Sequence, residues 1–526
     1  MAEKQTKTKD ETNHSKDRVI EVTKTLEWLI TAFILAFVFR AFVMEAYRIP
    51  TGSMAPTLKG DHFHLRCPQC GYKYNQGSDS HRTRRKSPGP VTCRCPSCGF
   101  YFKSRGAMPI AKGDRILVLK CIYQFFEPKR WDVVVFKNPL KPTENYIKRL
   151  IALPTETVEI IDGDIYINGR IARKPQKVQQ ELWMPVYDND FQPARPLQGN
   201  FNGHLWRQPF NIENSAWQIK NNNPTVFALD SDKDQIESMV YDTTVGNDFR
   251  ATYAYNNIST YPARPFCSDL MVRCYARVLD EAVIGVELSK YQNRYRARVD
   301  SAGAVRIEKI TSDGLSEELV NNQLRESLGV KPVKIKFSNV DHLLTLQVGS
   351  EKFDYDLDLL ANDAGPRQTA IEPRVTIFGS GRLELSHVAV FRDIHYTSSK
   401  YGNGPPEGRA VEGYPFPLKE DQFFMLGDNS PSSEDGRWWD DKGIANKGVE
   451  SYDAGVVPRE YLVGKALFVY WPSGYEFPWP YGARAFFAKH RRNNRLIFLL
   501  NEILFLNWIP NVGQMRFIYG GSGKNE

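Results

Sequence analysis

A serine in a tight turn, a lysine on an apolar strand and two pairs of cysteines are the residues of this 526-residue chain whose types and spacing could do chemistry. The turn is YRIPTGSMAPTLKGD, residues 47–61, which begins where a long apolar run stops. Pro50 and Pro56 bracket it and restrict the backbone, and Ser53 sits at its tip. A serine hydroxyl is a weak nucleophile until a base within hydrogen-bond reach takes its proton. The nine histidines supply no such partner, because none stands in a recognisable Ser-His-Asp pattern. A neutral lysine is the other candidate. In ENYIKRLIALP, residues 144–154, strand alternation places Tyr146, Lys148 and Leu150 on one face and Ile147, Arg149 and Ile151 on the other. A lysine among apolar neighbours loses solvation, its pKa falls, and it can accept a proton near neutral pH. Taken alone, the segment also reads as a strand whose lysine snorkels to water.

The cysteines form a second centre. Five of the eight fall between Cys67 and Cys98. Cys67, Cys70, Cys95 and Cys98 make two Cys-Pro-x-Cys-Gly knuckles, whose glycines permit the turn that points backbone N–H groups at thiolate sulfur. Four thiolates in this pattern predict a structural Zn2+ site, closed and therefore without a catalytic position. The polar, basic stretch between the knuckles has no core of its own, so metal binding would supply much of the folding energy. A pair of disulfides is the competing reading in an extracytoplasmic segment. Cys93 is left over as a substitute ligand, and His62, His64 and His81 are close enough in sequence to compete.

Elements must hold these groups in place. LEWLITAFILAFVFRAFVMEA, residues 26–46, is long and apolar enough to span a bilayer, with Arg40 near its outer end. A cleavable signal peptide would have a shorter core and a small-residue cut site, where this chain has Glu45 and bulky residues. Residues 1–25 form a polar tail with Lys4, Lys7, Lys9, Lys16, Arg18 and Lys24, which places the N-terminus in the cytoplasm and everything after residue 46 outside. AKGDRILVLK (111–120) and RWDVVVFKNP (130–139) read as strands between turns, and FFMLGDNSPSSEDGRWW (423–439) as a strand, a polar loop and a basic-aromatic exit. The length predicts two to four domains, and 41% hydrophobic with 25% charged residues excludes a disordered chain. A net charge of +8 suits an anionic membrane surface but is poor evidence for nucleic-acid binding.

In order, PTGSMAPTL, KGDRILV, YIKRLIALP and LGDNSPSSEDGRWW behind one apolar helix resemble bacterial type I signal peptidase, also called leader peptidase. The resemblance covers residues 26–66, 106–170 and 412–475. It implies Ser53 as nucleophile, Lys148 as general base, and a Thr51 hydroxyl that joins the Ser53 N–H in an oxyanion hole. It also implies Ser433 as the serine orienting the lysine, Asp435 and Arg437 as an ion pair behind it, and Gly427, Asp428 and Asn429 as the opening of the supporting loop. No cofactor is expected for catalysis, and the expected partners are signal peptides of exported proteins and membrane lipid, with no nucleic acid. The family usually has Arg-Asp-Asn after Gly-Asp-Asn and a serine before the arginine; this chain has Ser430, Pro431, Ser432 and Gly436, and Ala152 replaces a glycine.

The expected organisation is mainly β. A tail (1–25) and a membrane helix (26–46) precede a core in three pieces (47–66, 106–170 and 412–475). Two insertions interrupt the core, a zinc ribbon at 67–105 and a β-sandwich at 171–411, and an interfacial segment (476–526) ends the chain. The end of the sandwich, a glycine turn followed by LELSHVAVFRDI, resembles a concanavalin or laminin-G-like jelly roll, which implies a carbohydrate or protein ligand. Cys267 and Cys274 are near enough in sequence for a local disulfide. Two rival functions remain at this level: a membrane-anchored binding protein built on a protease scaffold, and a related dyad protease acting on other membrane substrates.

Overall fold

The computed structural model describes residues 21–78, 91–104, 108, 110–260, 264–279, 281–358, 371–399, 406–444, 452–473 and 511–521. A helix runs Glu21–Val43, and large apolar side chains (Trp28, Phe33, Phe37) stand exposed around it. A helix apolar on every side suits lipid rather than water, and 23 residues are enough to cross a bilayer. It ends three residues before the expected boundary, because Met44–Arg48 is already a strand paired with Arg115–Leu119. The tail residues 1–20 and His81 lie outside the described residues.

The strands next to the motifs singled out from sequence form one eight-stranded sheet. Its order is Met44–Arg48, Arg115–Leu119, Leu462–Trp471, Val133–Asn138, Lys141–Ala152, Gln422–Leu426 and Val457–Pro458. The eighth strand, Arg516–Phe517, pairs with Leu462–Trp471. Residues 511–521 thus belong to the core, with Ile518 buried beside Ile116 and Val133; residues 476–510 of the expected interfacial segment lie outside the described residues. Runs such as Val133–Phe136 and Leu150–Ala152 are buried throughout, as strands covered on both faces must be. A small sheet (Arg170–Ile171, Asp164–Ile167, Thr157–Ile161 and Phe416–Pro417) sits beside it.

The long insertion is a two-sheet antiparallel sandwich. One sheet carries Arg382–Arg392 and Leu270–Val278 at its centre, the other Val375–Ser380 and Val283–Lys290. Alternation along these strands sends Val272, Cys274, Ala276, Ile284, Val286, Val388 and Val390 into one shared core. Strands of the sandwich run from Met184 to Arg392, a narrower span than 171–411. Ile394, Tyr396 and Ala410 instead pack with Val158 and Ile160 of the small sheet and Phe424 of the eight-stranded one.

A buried ionic network joins the two parts. Lys290 of the sandwich lies 2.5 Å from Asp269 and 3.4 Å from Asp164 of the small sheet. Lys174 contacts Asp341 at 2.5 Å and Asp393 at 2.9 Å.

Candidate active site

Ser53 stands on a turn closed by the Ala55 N–H donating to the Gly52 carbonyl at 3.0 Å, and followed by Leu58 N to Met54 O at 2.8 Å. Met54, Ala55 and Leu58 are buried, which roots the turn in the core and leaves Ser53 half-buried at its tip. Asp114 of the KGDRILV stretch holds its far end, accepting from the Lys59 N–H at 3.0 Å while its own N–H donates to the Lys59 carbonyl.

Lys148 comes from the long strand, opposite Val134. It is 4% exposed, and its Nζ lies 2.7 Å from Ser53 Oγ, across 95 residues of chain. Burial pushes its ammonium down to about 8, against the pull of the Asp435 carboxylate. Two of the carboxylates that act on it have other partners. Asp435 is bound by Arg437 (Nε–Oδ1 2.9 Å, Nη2–Oδ2 2.8 Å), and Asp428 is bound in the same forked way by Arg149 (2.7 and 2.6 Å). Burial opposes the charge on Asp435, but the Arg437 guanidinium outweighs it and holds that carboxyl below its usual range. Arg149 carries as much of this arrangement as the residues singled out from sequence. Its signal was its place beside Lys148 on the opposite strand face, a buried position that an arginine occupies only when paired.

The remaining site residues fall around this pair. The Gly427 N–H donates to Asp435 Oδ2 at 3.0 Å, and the Asn429 N–H donates to the Ser53 carbonyl at 3.0 Å. Thr51 is exposed on the same turn as Ser53. Ser433 is buried against Gly427, and its hydroxyl has no hydrogen-bond partner among the described residues, Lys148 included. A cavity of about 530 Å3 opens behind the turn at Pro56, Thr57 and Lys59, between the cysteine module and the insertion, and neither Ser53 nor Lys148 lines it.

The four knuckle cysteines come together, with their sulfurs all within 4.8 Å of one another. Cys67 and Cys98 are 3.7 Å apart, and Cys70 and Cys95 3.6 Å. Tetrahedral zinc with Zn–S bonds of about 2.3 Å requires sulfurs about 3.8 Å apart, so the set fits that ion. The knuckles match each other: Gly71 N donates to Cys67 O and Gly99 N to Cys95 O, with φ of 76° and 73° at the two glycines. All eight cysteines are free thiols, Cys267 and Cys274 included. Cys93 lies apart in a neighbouring apolar cluster, so it is not a substitute ligand. His62 bonds the Gly60 carbonyl, and His64 bonds Asn75 and Ser473; neither joins the sulfurs.

Sheet, turn and buried amine define a mainly β protein in which a serine meets a lysine at 2.7 Å beyond an apolar N-terminal helix. The family described as "Signal peptidase, peptidase S26" matches residues 98–215 and 393–471. Signal peptidase I of Rickettsia canadensis (strain McKiel) is 31% identical over 150 residues, 28% of this chain and 44% of that protein. Signal peptidase I of Rickettsia akari (strain Hartford) is 31% identical over 162 residues, 30% and 48% of the two chains. The chain spans about half the length of the relatives it matches. Among solved structures, the carbohydrate-binding module CBM66 from Bacillus subtilis covers 34% of this chain and 89% of its own, at 12% identity and a TM-score of 0.20. A likeness of that size carries no argument about the sandwich or its ligand.

Proposed function

We propose that the chain is a membrane-anchored signal peptidase that removes N-terminal signal peptides from exported proteins, using Ser53 as nucleophile and Lys148 as general base. The observation that carries this reading is the 2.7 Å contact between a serine hydroxyl and a buried lysine that has no carboxylate of its own. The Ser53 hydroxyl proton passes to neutral Lys148 Nζ as Oγ attacks the scissile carbonyl carbon. The tetrahedral oxyanion is met by the Ser53 N–H and the Thr51 hydroxyl. The protonated lysine returns its proton to the leaving amine. Water, deprotonated by the same amine, then hydrolyses the acyl-serine ester and restores both groups.

The helix Glu21–Val43 carries the enzyme in the bacterial cytoplasmic membrane, with its N-terminus in the cytoplasm and the β domains outside. Lipid is thus a partner, and the substrate is an apolar segment lying in the same bilayer. Cys67, Cys70, Cys95 and Cys98 hold a structural zinc, which supplies a cross-link between two knuckles and takes no part in bond cleavage.

The test uses purified full-length protein with a preprotein substrate, and mass spectrometry to locate the cut. Cleavage at the end of the signal sequence by wild type, and none by Ser53→Ala, is the expected result. Equal cleavage by both would overturn the assignment.

A further inference from the structure

The insertion reaches the nucleophile. Between two sandwich strands, Glu237–Tyr241 and Leu270–Val278, the chain leaves the sandwich, and residues 253–256 come to lie against the turn that bears Ser53. There Asn256 and Asn429 exchange two hydrogen bonds, Asn256 Nδ2 to Asn429 Oδ1 at 2.7 Å and Asn429 Nδ2 to Asn256 Oδ1 at 2.8 Å. The second hydrogen on Asn429 Nδ2 goes to the Gly52 carbonyl at 2.9 Å, and the Asn429 N–H goes to the Ser53 carbonyl. One asparagine side chain therefore holds the peptide group entering the nucleophile, while its backbone holds the one leaving it. The partner that fixes which way its amide faces belongs to the insertion.

Tyr255 adds a steric contact to this electrostatic one. Its ring lies so close to Gly52 that a Cβ there would sit 2.2 Å from Cε1. The Tyr255 carbonyl accepts from the Gly77 N–H at 2.8 Å, which ties the same loop to the hairpin leading into the cysteine knuckles. Any side chain at Gly52 would meet the Tyr255 ring of the insertion.

From this geometry we infer that Asn256 is a positioning residue for the proposed reaction: it orients Asn429, and through Asn429 the Gly52–Ser53 peptide and the Ser53 hydroxyl. The inference rests on the assignment of Ser53 as nucleophile, but the clamp itself does not need a substrate to be measured. A planar amide pair with both bonds made admits one orientation of each partner. Losing one member leaves Asn429 Oδ1 without its donor and frees its amide to turn.

Two readouts on the full chain in detergent micelles test it. In Asn256→Ala, backbone amide exchange at residues 52–54 and 429 should accelerate roughly tenfold, the effect expected from losing one well-made hydrogen-bonded partner. Exchange in the sandwich strands should not change. On a signal-peptide substrate, kcat should fall by a similar factor with little change in KM, as when an interaction made in the transition state is lost. Asn256→Asp separates orientation from packing, because a carboxylate accepts from Asn429 Nδ2 but repels Asn429 Oδ1, whereas a carboxylic acid can donate to it as the amide does. Its deficit relative to wild type should therefore narrow as pH falls, while the Asn256→Ala deficit stays constant. Unchanged exchange at 52–54 and 429 in Asn256→Ala would overturn the inference, as would identical pH-independent deficits in the two variants. If wild type cleaves no preprotein at all, the proposed function fails, and the exchange measurement still decides the clamp.

Discussion

Lys148 and Lys290 are buried to the same degree, 4% and 3% exposed, yet their surroundings move their proton affinities in opposite directions. Burial works against the charge on both. At Lys290 the carboxylates of Asp164 and Asp269 outweigh it, and the amine is held well above the ordinary lysine range. At Lys148 burial wins: Asp435, Asp428 and Glu434 pull upward, but Arg437 binds Asp435 and Arg149 binds Asp428, and the amine falls to about 8. The contrast lies in who takes the carboxylates, not in depth. A buried lysine keeps a lowered proton affinity when arginines bind the acids nearest it.

Replacing each lysine should produce the largest divergence. Lys148→Met is expected to abolish cleavage, whereas Lys290→Met should keep the turnover of whatever remains folded. In unfolding experiments the order reverses. Lys290→Met strands buried carboxylates and should lose about 3–5 kcal/mol. Lys148→Met removes a group that resists being charged, and should gain up to about 3 kcal/mol at neutral pH. A Lys148→Met protein clearly less stable than wild type at pH 7 would mean that this lysine is a charged structural partner.

The pH dependence sharpens the same contrast. Cleavage should rise through about pH 8 as Lys148 loses its proton. Because its folded pKa lies below the unfolded value, the stability penalty is complete below about pH 8 and is relieved as pH climbs towards about 10.4. Lys290 has the opposite sign: its contribution is complete below about pH 10.4 and is lost only as pH rises through its raised folded value. Calorimetric scans of the two Met variants against wild type from pH 6 to 10 would expose the difference; parallel curves would refute it.

Arg437 offers a finer cut. Arg437→Met leaves the Asp435 carboxylate free for Lys148, so the acid limb of the rate profile should move upward by about one pH unit. A limb that stays at 8 would show that burial alone sets the amine. Metal removal should have the smallest effect on the reaction itself. Elemental analysis should find one zinc per chain, and stripping it should loosen residues 62–104 in hydrogen exchange while slowing cleavage only indirectly. Native protein with two disulfides and no zinc would contradict the site.

Much of this was legible in the sequence because it is local. Alternation around Lys148 announced a lysine on an apolar face, and the paired knuckles announced four converging sulfurs. Regular short strands announced a sandwich, which the two sheets bear out. What escaped depends on contacts between distant segments. Arg149 looked like an ordinary strand arginine until Asp428, 279 residues away, closed on it. Ser433 matched a motif, yet its hydroxyl stands beside Gly427 without a hydrogen-bond partner among the described residues, a matter of loop path that spacing does not encode. Asn256 lies in a stretch with no pattern at all, and only the fold brings it to Asn429. The end of the helix was misplaced for a related reason: apolar character continues through Met44, but the partner strand Arg115–Leu119 claims that residue for the sheet.

That junction has a mechanical meaning. The helix passes into the strand Met44–Arg48 without a linker, and the Val43 carbonyl is already bonded by Lys120 N. Five strand residues span about 17 Å, and the Ser53 turn follows within five more. Under the proposed function the chain would be a ruler fixed to the bilayer, with Ser53 as a blade at a constant height above the lipid. On that reading an exported chain would be cut where it reaches that height, and distance from the membrane would join the small residues at the cut in the recognition code. Two residues added between Val43 and Met44 would raise the blade and move the cut.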